Sequence, residues 1–141
     1  MTQHYGPALR RALVVGVVAA MPGLCCGVAY ASPSEPDIGP GSTDAAAVEC
    51  VQSALVSAAR NGKIRGYSAA SVDGKYGPAT VRFVKMYQKK LGLADDGIVG
   101  PKTGSHLYQE MQAEQDQVGP AQLVRCYDRL PVTGDVKGPV V

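Results

Sequence analysis

Few side chains in this sequence have both the chemistry and the setting that catalysis requires. The only histidines are His4 and His106, which are too few to supply a zinc hydrolase with ligands. Asp95 and Asp96 are adjacent carboxylates, but neighbouring side chains in a turn point apart and do not form an acid–base pair. No G-x-S-x-G setting surrounds a serine that could pair with His106. We therefore predict a protein that is not an enzyme, with no metal and no cofactor.

The N-terminal segment resembles an export signal. Arg10 and Arg11 precede an apolar run from Ala12 to Met21, and Ala29-Tyr30-Ala31 matches an A-x-A cleavage site. The apolar run is short for a membrane span. These features predict a signal peptide over residues 1–31 and a secreted, extracellular protein with no membrane contact after cleavage. They leave open whether export uses general secretion, which we favour, or the twin-arginine route.

The charge and the cysteine content of the chain after residue 31 limit the possible partners and predict a cross-link. Loss of Arg10 and Arg11 leaves 12 of the 14 basic residues against 12 acidic ones. Such a balanced charge does not favour nucleic acid as a partner, because that binding depends on concentrated positive charge. Cys50 and Cys126 remain as an even pair. In an exported protein this pair predicts a disulfide, although two free thiols are the alternative.

One short phrase occurs twice, and it indicates how the chain is organised. Residues 73–80 read DGKYGPAT and residues 96–103 read DGIVGPKT. Asp-Gly favours a tight turn, and Gly-Pro places proline at the first position of a helix. Each copy therefore predicts a turn, one buried apolar residue (Tyr76 or Val99) and the start of a helix. An internal repeat of this kind makes coincidence a poor explanation.

Helical periodicity connects these turns. The spacing of apolar residues predicts helices over 45–60, 78–91 and 101–115, and a short fourth helix over 121–130. Arg82, Lys85 and Lys89 share the polar face of the second helix, which we interpret as solvated. The predicted fold is all-α, a small three-helix bundle with a short extra C-terminal helix. We expect a flexible linker over 32–44, a domain over 45–115, an extension carrying Cys126 over 116–130 and a disordered tail over 131–141.

Several of these motifs together resemble the peptidoglycan-binding-domain-like family. Val48-x-x-Val51-Gln52-x-x-Leu55 is similar to its V-x-x-L-Q-x-x-L, residues 84–88 (VKMYQ) to its V-x-x-F-Q, and the double D-G-x-x-G-P-x-T is typical of it. The resemblance covers residues 48–107 and implies a three-helix module that binds bacterial peptidoglycan. Tyr87 replaces a phenylalanine, which is conservative if its hydroxyl has a partner. Gly104 stands where the family often has an aromatic residue.

Together with the export signal and the lack of catalytic residues, the resemblance predicts a secreted, cell-wall-associated protein that binds peptidoglycan without cutting it. We expect a monomer. We expect binding in a shallow groove beside the repeat turns, at glycan hydroxyls or stem-peptide carboxylates. The candidate ligand-binding residues are Asp73, Tyr76, Arg82, Gln88 and Asp96. For four of these a structural role is the competing interpretation: Asp73, Asp96 and Gln88 in turns and helix packing, and Tyr76 in the core. An alternative function is a secreted interaction protein that uses the same fold to engage a partner such as a wall enzyme.

Overall fold

Three amphipathic helices, in the order that the sequence predicts, form the frame of the protein. The computed structural model describes residues 36–139. Helix α1 spans Ala45–Arg60, α2 spans Pro78–Leu91 and α3 spans Pro101–Ala113. Two shorter helices follow, α4 (Gln115–Val118) and α5 (Pro120–Tyr127), and a 3₁₀ turn at Ala69–Ser71 precedes α2. The all-α prediction is confirmed, since backbone pairing between extended segments in residues 36–139 is limited to one isolated bridge.

The helix boundaries follow from the local sequence. Asp44 caps α1, because its Oδ1 accepts hydrogen bonds from the backbone N–H groups of Ala46 and Ala47 at 3.0 and 3.1 Å. Gly92 ends α2 in the left-handed conformation that favours glycine. Helix α3 ends two residues before the predicted limit, and α5 lies at 120–127 rather than 121–130. The predicted signal peptide, residues 1–31, lies outside the described residues.

Helix α1 lies at the centre of the core. Its predicted apolar stripe is fully buried at Val48, Val51, Leu55 and Ala58. Ala54, beside this stripe, is also without exposed surface, and small side chains allow a neighbouring helix to approach closely. Helices α2 and α3 cover α1 with the side chains Val84, Tyr87, Leu107, Tyr108 and Met111, all fully buried.

A buried carboxylate joins the three long helices at one end. Glu110 on α3 accepts hydrogen bonds from the Tyr87 hydroxyl on α2 at 3.1 Å and from the Asn61 side-chain amide, just beyond α1, at 2.7 Å. Burial is the main cause that raises the pKa of Tyr87 above its usual value, followed by the nearby charge of Glu110. The tyrosine that replaces the family's phenylalanine thus has a partner for its hydroxyl.

The N-terminal arm, which we define as residues 36–44, is packed on the domain. The backbone N–H of Ile38 donates to the Val99 carbonyl at 3.0 Å, and the Val99 N–H donates back at 2.8 Å. Ile38 is buried beside the second repeat turn. The expectation of a flexible linker over 32–44 is therefore corrected for residues 36–44. One isoleucine among Pro, Gly and Ser gives no periodic signal, so the sequence does not reveal this anchor.

The C-terminal strap, residues 131–139, is also ordered against the helices, and the expected disorder of this region is wrong for these residues. Val132 and Val136 are buried. The Thr133 backbone N–H donates to Ser105 Oγ on α3 at 2.8 Å, and Gln112 Nε2 on α3 donates to the Lys137 carbonyl at 3.0 Å. Both valines pack against the apolar core. Their irregular spacing in the sequence predicts neither a helix nor a strand.

Two features attach the C-terminal part to the domain. The predicted Cys50–Cys126 disulfide is present and joins α1 to α5, with both cysteines fully buried. At Gly104 on α3, an added Cβ atom would overlap the carbonyl oxygen of Pro131. The strap therefore occupies the space into which an aromatic side chain at position 104 would project.

Removal of the disulfide should destabilise the protein substantially. The bond closes a loop with a sequence separation of 76 residues, and a cross-link of this kind typically contributes about 2–4 kcal/mol. We expect the free energy of unfolding of Cys50→Ala/Cys126→Ala, measured with urea, to fall by about that amount. A reducing agent should destabilise the wild type and leave the double variant unchanged. Equal stability of the two oxidised proteins would contradict this prediction.

A methyl group at position 104 should displace the strap. We expect Gly104→Ala to lower the free energy of unfolding by about 1–3 kcal/mol, because an overpacked site must shift its backbone. Amide exchange at Val132 and Val136 should accelerate with it. Gly134→Ala is the matched control, because no atom lies within 4 Å of the Cβ that it would add. Similar effects of the two substitutions would show that contact with Gly104 does not hold the strap.

Candidate ligand-binding site

The first repeat turn is built around one buried side-chain amide from α1. Gln52 is 1% exposed, and its Oε1 accepts the backbone N–H groups of Asp73 and Gly74, each at 2.9 Å. Its Nε2 donates to Asp73 Oδ1 at 2.8 Å, to the Lys75 carbonyl at 3.0 Å and to Thr80 Oγ1 at 3.2 Å. The amide therefore uses both its donor and acceptor capacity on a single turn.

The second repeat turn is held in the same way by Gln88 on α2. Its Nε2 donates to Asp96 Oδ1 at 3.0 Å, to the Ile98 carbonyl at 2.8 Å and to Thr103 Oγ1 at 3.2 Å. Its Oε1 accepts the Gly97 N–H at 2.9 Å. Each of the first two helices thus supplies the glutamine that fixes the turn leading to the next helix.

The backbones of the two turns have the same conformation. Gly74 and Gly97 have φ values of +72° and +80°, a region that an L side chain rarely adopts and that favours glycine. Gly77 and Gly100, which precede the helix-starting prolines, have (φ, ψ) values of (−90°, −177°) and (−93°, −175°). The repeated sequence therefore produces a repeated structure.

Tyr76 connects the two turns. Its hydroxyl donates to the Gly97 carbonyl at 2.8 Å, and the side chain is 8% exposed. Burial is the main cause that raises the pKa of Tyr76, with the nearby carboxylate of Asp96 adding to it. The hydroxyl is thus engaged within the protein, and only part of the ring remains available to a ligand.

The two turn aspartates are stabilised as carboxylates. Hydrogen bonds from the Gln52 amide and then from the Lys75 N–H hold the pKa of Asp73 below its usual value. For Asp96, the Ile98 N–H is the main cause of a lowered pKa, followed by the Gln88 amide. Both carboxylates are therefore charged at neutral pH and occupied by the turn that contains them.

The five predicted ligand-binding residues do not converge on one site. Asp73, Gln88 and Asp96 hydrogen-bond within the turns. Tyr76 and Arg82 line a groove of about 650 Å³ beside the first turn, and Gln88 and Asp96 border a groove of about 570 Å³ beside the second. We call these the first groove and the second groove. Grooves are therefore present beside both turns, and Asp73, Gln88 and Asp96 are engaged within the turns. Ligand binding by the five residues stays a prediction.

The first groove is lined by apolar and charged side chains. We call its apolar lining residues the floor, namely Pro40 of the N-terminal arm, Tyr76, Val81 and Met86, and Met86 is 39% exposed. Its charged lining residues are Arg82, Lys85 and Lys89 of α2, which we call the rim, and Asp95. The three basic residues, interpreted from the sequence as a solvated face, therefore border a concave surface.

Sequence reasoning missed two contributors to this region. Pro40 lies in the stretch expected to be a linker, and no local pattern connects it to a groove. Gln52 could have been found, because Val48-x-x-Val51-Gln52 has the same spacing as Val84-x-x-Tyr87-Gln88. The repeat thus extends from each helix into the turn that follows it.

The described residues offer no setting for metal chemistry. Within residues 36–139 no group of three or more His, Cys, Asp or Glu side chains is placed to hold a metal ion. His106 is exposed on α3, and Asp95 and Asp96 have different surroundings, one lining the first groove and one in the turn. None of the helices in the described part of the chain has the length and apolar character needed to cross a membrane.

The comparison with protein families matches the part of the chain that runs from α1 into α3. Residues 47–107 match the family described as "Putative peptidoglycan binding domain". This match covers less than half of the chain and shows that residues 47–107 are similar to that family. No solved structure gives a significant match.

Two curated proteins are similar to parts of this chain. The zinc D-Ala-D-Ala carboxypeptidase of Streptomyces albus G is 37% identical over 73 residues, covering 45% of this chain and 28% of that protein. An uncharacterized protein in the bpoA1 3′ region of Kitasatospora aureofaciens is 47% identical over 47 residues, covering 33% of this chain and 40% of that protein. The chain thus spans less than half the length of either relative.

Replacement of Gln52, which holds the first repeat turn, should lower the free energy of unfolding. Gln52→Leu keeps a similar volume but leaves the Asp73 and Gly74 N–H groups without their acceptor, and each such loss costs about 1–3 kcal/mol. We expect urea unfolding to show a loss of about 2–4 kcal/mol. Gln109→Leu, at an exposed position of α3, is the control and should change stability by less than about 0.5 kcal/mol. If the two variants lose the same amount, the amide does not hold the turn.

The turn carboxylates should make stability sensitive to acid. Because the folded-state pKa values of Asp73 and Asp96 are lowered, the unfolded chain takes up protons first as the pH falls. Their stabilisation is fully present above the usual aspartate pKa of about 3.9 and is lost below it. Urea unfolding should therefore show a declining free energy below about pH 4, and Asp73→Asn/Asp96→Asn should reduce that decline.

The decline should not vanish in the double variant, since Asp44 and Asp135 also have lowered pKa values. An unchanged acid profile in Asp73→Asn/Asp96→Asn would show that the turn carboxylates do not stabilise the fold.

Proposed function

We propose that this chain is a secreted, non-catalytic, monomeric protein that binds peptidoglycan in the first groove. The match of residues 47–107 to the family described as "Putative peptidoglycan binding domain" supports peptidoglycan as the ligand. In this proposal residues 1–31 are removed on export, 45–115 form the binding domain and 116–130 stabilise it through Cys126. The similar carboxypeptidase is a longer protein, and in the described residues we find no counterpart of a zinc centre.

The main support for this proposal is that the first groove is accessible to a ligand. All of its lining residues fall between Pro40 and Asp95, so α5 and the C-terminal strap do not line it. By contrast, Thr133 of the strap borders the second groove. The first groove is also bordered by exposed Met86, an apolar side chain whose contact with a ligand would remove it from water.

Sedimentation with purified, insoluble cell walls tests the proposal. The oxidised protein without residues 1–31 should appear in the pellet with walls and stay in the supernatant with an inert polysaccharide. Retention in the supernatant in both cases would overturn wall binding. Wall material in a zymogram should show no clearing, and a cleared zone would overturn the non-catalytic assignment.

A matched pair of substitutions distinguishes the two grooves. Met86 in the first groove and Ile98 in the second are 39% and 38% exposed, so their replacement should affect stability similarly. We expect Met86→Gln to weaken wall binding about fivefold, which corresponds to about 1 kcal/mol of apolar contact. Ile98→Gln should bind like the wild type. The reverse order would place the ligand in the second groove.

The second candidate function is that of a secreted interaction protein, for example a partner of a wall enzyme. The observation that favours it is the strap, which covers Gly104 on α3 where the family often has an aromatic residue. A pull-down from culture supernatant with the immobilised protein tests it. A stoichiometric protein partner together with no wall binding would favour this function over the first.

A further inference from the structure

The basic rim of the first groove has unused binding capacity. Arg82, Lys85 and Lys89 are spaced by three and four residues, which places them on one face of α2. In the described part of the chain, every ion pair within 4.0 Å joins other residues. Asp95 is the acidic residue that borders the groove with them. Arg82 also lies over the Phe83 ring, 5.3 Å from its centroid, and Lys85 lies near enough to Asp96 to help lower the pKa of that carboxyl. Within residues 36–139 the rim therefore carries an excess of positive charge without an ion-pair partner within 4.0 Å.

The dimensions of the rim match a short extended peptide. Seven residues separate Arg82 from Lys89, and a helix rises about 1.5 Å per residue, so the row is about 10 Å long. An extended chain covers about 3.3 Å per residue. About three residues of an extended peptide would thus lie along the row, with acidic groups within reach of the three cations.

The floor of the groove is poorly suited to a sugar strand. Pro40, Val81 and Met86 offer no side-chain hydrogen-bonding group, and the Tyr76 hydroxyl already donates to the Gly97 carbonyl. Sugar hydroxyls placed on this floor would lose water, and replacement hydrogen bonds are available only from the charged lining residues. Methyl groups and alkyl side chains of a peptide would meet an apolar surface that they can pack against.

We propose that the first groove recognises the stem peptide of peptidoglycan through its free carboxylates, rather than the glycan strand. This inference rests on the proposed function and specifies its ligand. The carboxylates accept charge-assisted hydrogen bonds from Arg82, Lys85 and Lys89, and the apolar parts of the peptide contact the floor. Pro40 belongs to the N-terminal arm, which lies outside the family-matched residues 47–107. The arm therefore contributes a residue to the proposed site.

A phosphate-rich wall polymer is the other anionic ligand that the rim could attract. It would use the cations but gain little from the apolar floor, because its repeating phosphates must stay hydrated. The observations therefore favour the peptide. Walls from which phosphate polymers have been stripped should bind the protein as well as untreated walls, and loss of binding after stripping would overturn the proposal.

Competition separates the two parts of peptidoglycan. An amidase that splits stem peptides from the glycan provides both probes from one wall preparation. The free stem peptide should displace the wall-bound protein, and the peptide-free glycan should not. The same peptide with its carboxylates converted to methylamides should compete at least about tenfold less well, because the charged contacts are lost. Displacement by the glycan alone, or equal competition by the methylamide, would overturn the proposal.

Neighbouring lysines on α2 provide a matched pair of variants. Lys89 lines the groove and Lys90 does not, although both are exposed and lie in the last turn of the helix. Lys89→Gln should weaken binding of the free peptide about fivefold, the upper range for a solvent-exposed ion pair. Lys90→Gln, with the same change of net charge, should bind like the wild type. Equal losses in both variants would indicate a general charge effect and would overturn the proposal.

Failure of this inference differs from failure of the proposed function. A protein that does not sediment with walls at all would overturn both. A protein that sediments with walls but is released by the glycan and not by the peptide would overturn the stem-peptide assignment alone.

Discussion

A buried primary amide on each of α1 and α2 determines where the chain turns. A turn between helices exposes backbone N–H and C=O groups that helical hydrogen bonds cannot satisfy. Gln52 and Gln88 satisfy several of these groups at once, from inside the core. Because an unsatisfied buried polar group is costly, the correct turn is strongly favoured over alternatives once the helix that carries the glutamine is in place.

The two turns in succession help to form the proposed binding surface. The hydrogen bond from Tyr76 to the Gly97 carbonyl joins them, and the pairing of Ile38 with Val99 attaches the N-terminal arm to the second turn. The first groove thus has one side made by α2 and another made by the arm. These hydrogen bonds fix the backbone that surrounds the groove before a ligand arrives, which reduces the entropic cost of binding.

Much of the fold could be predicted from the sequence because the signals are local. The repeated turn residues, the helical periodicity and the cysteine pair predict α1, α2, the start of α3 and the Cys50–Cys126 disulfide correctly. The arm and the strap could not be predicted, because Ile38, Val132 and Val136 are single apolar residues without periodic neighbours. Their burial depends on sites made by residues distant in sequence.

The candidate site could be predicted only in outline. The sequence indicates that the grooves lie beside the turns, yet hydrogen-bonding side chains such as Asp73, Gln88 and Asp96 are as suitable for a turn as for a ligand. Residue type alone does not distinguish the two roles. The structure does, since all three are engaged within the turns. Conversely, the sequence indicates only that Arg82, Lys85 and Lys89 share a solvated face of α2. The structure shows that this face borders a groove with Pro40 and Tyr76.

Amide hydrogen exchange at Gly74 and Gly97 tests the role of the two glutamines most directly. Both N–H groups belong to surface turns, but both donate to a buried glutamine oxygen at 2.9 Å. We expect protection factors on the order of 10³ or more, comparable to those of the helix core. Exchange at the rate of the Gly134 amide in the strap, for which residues 36–139 provide no hydrogen-bond acceptor, would contradict this account.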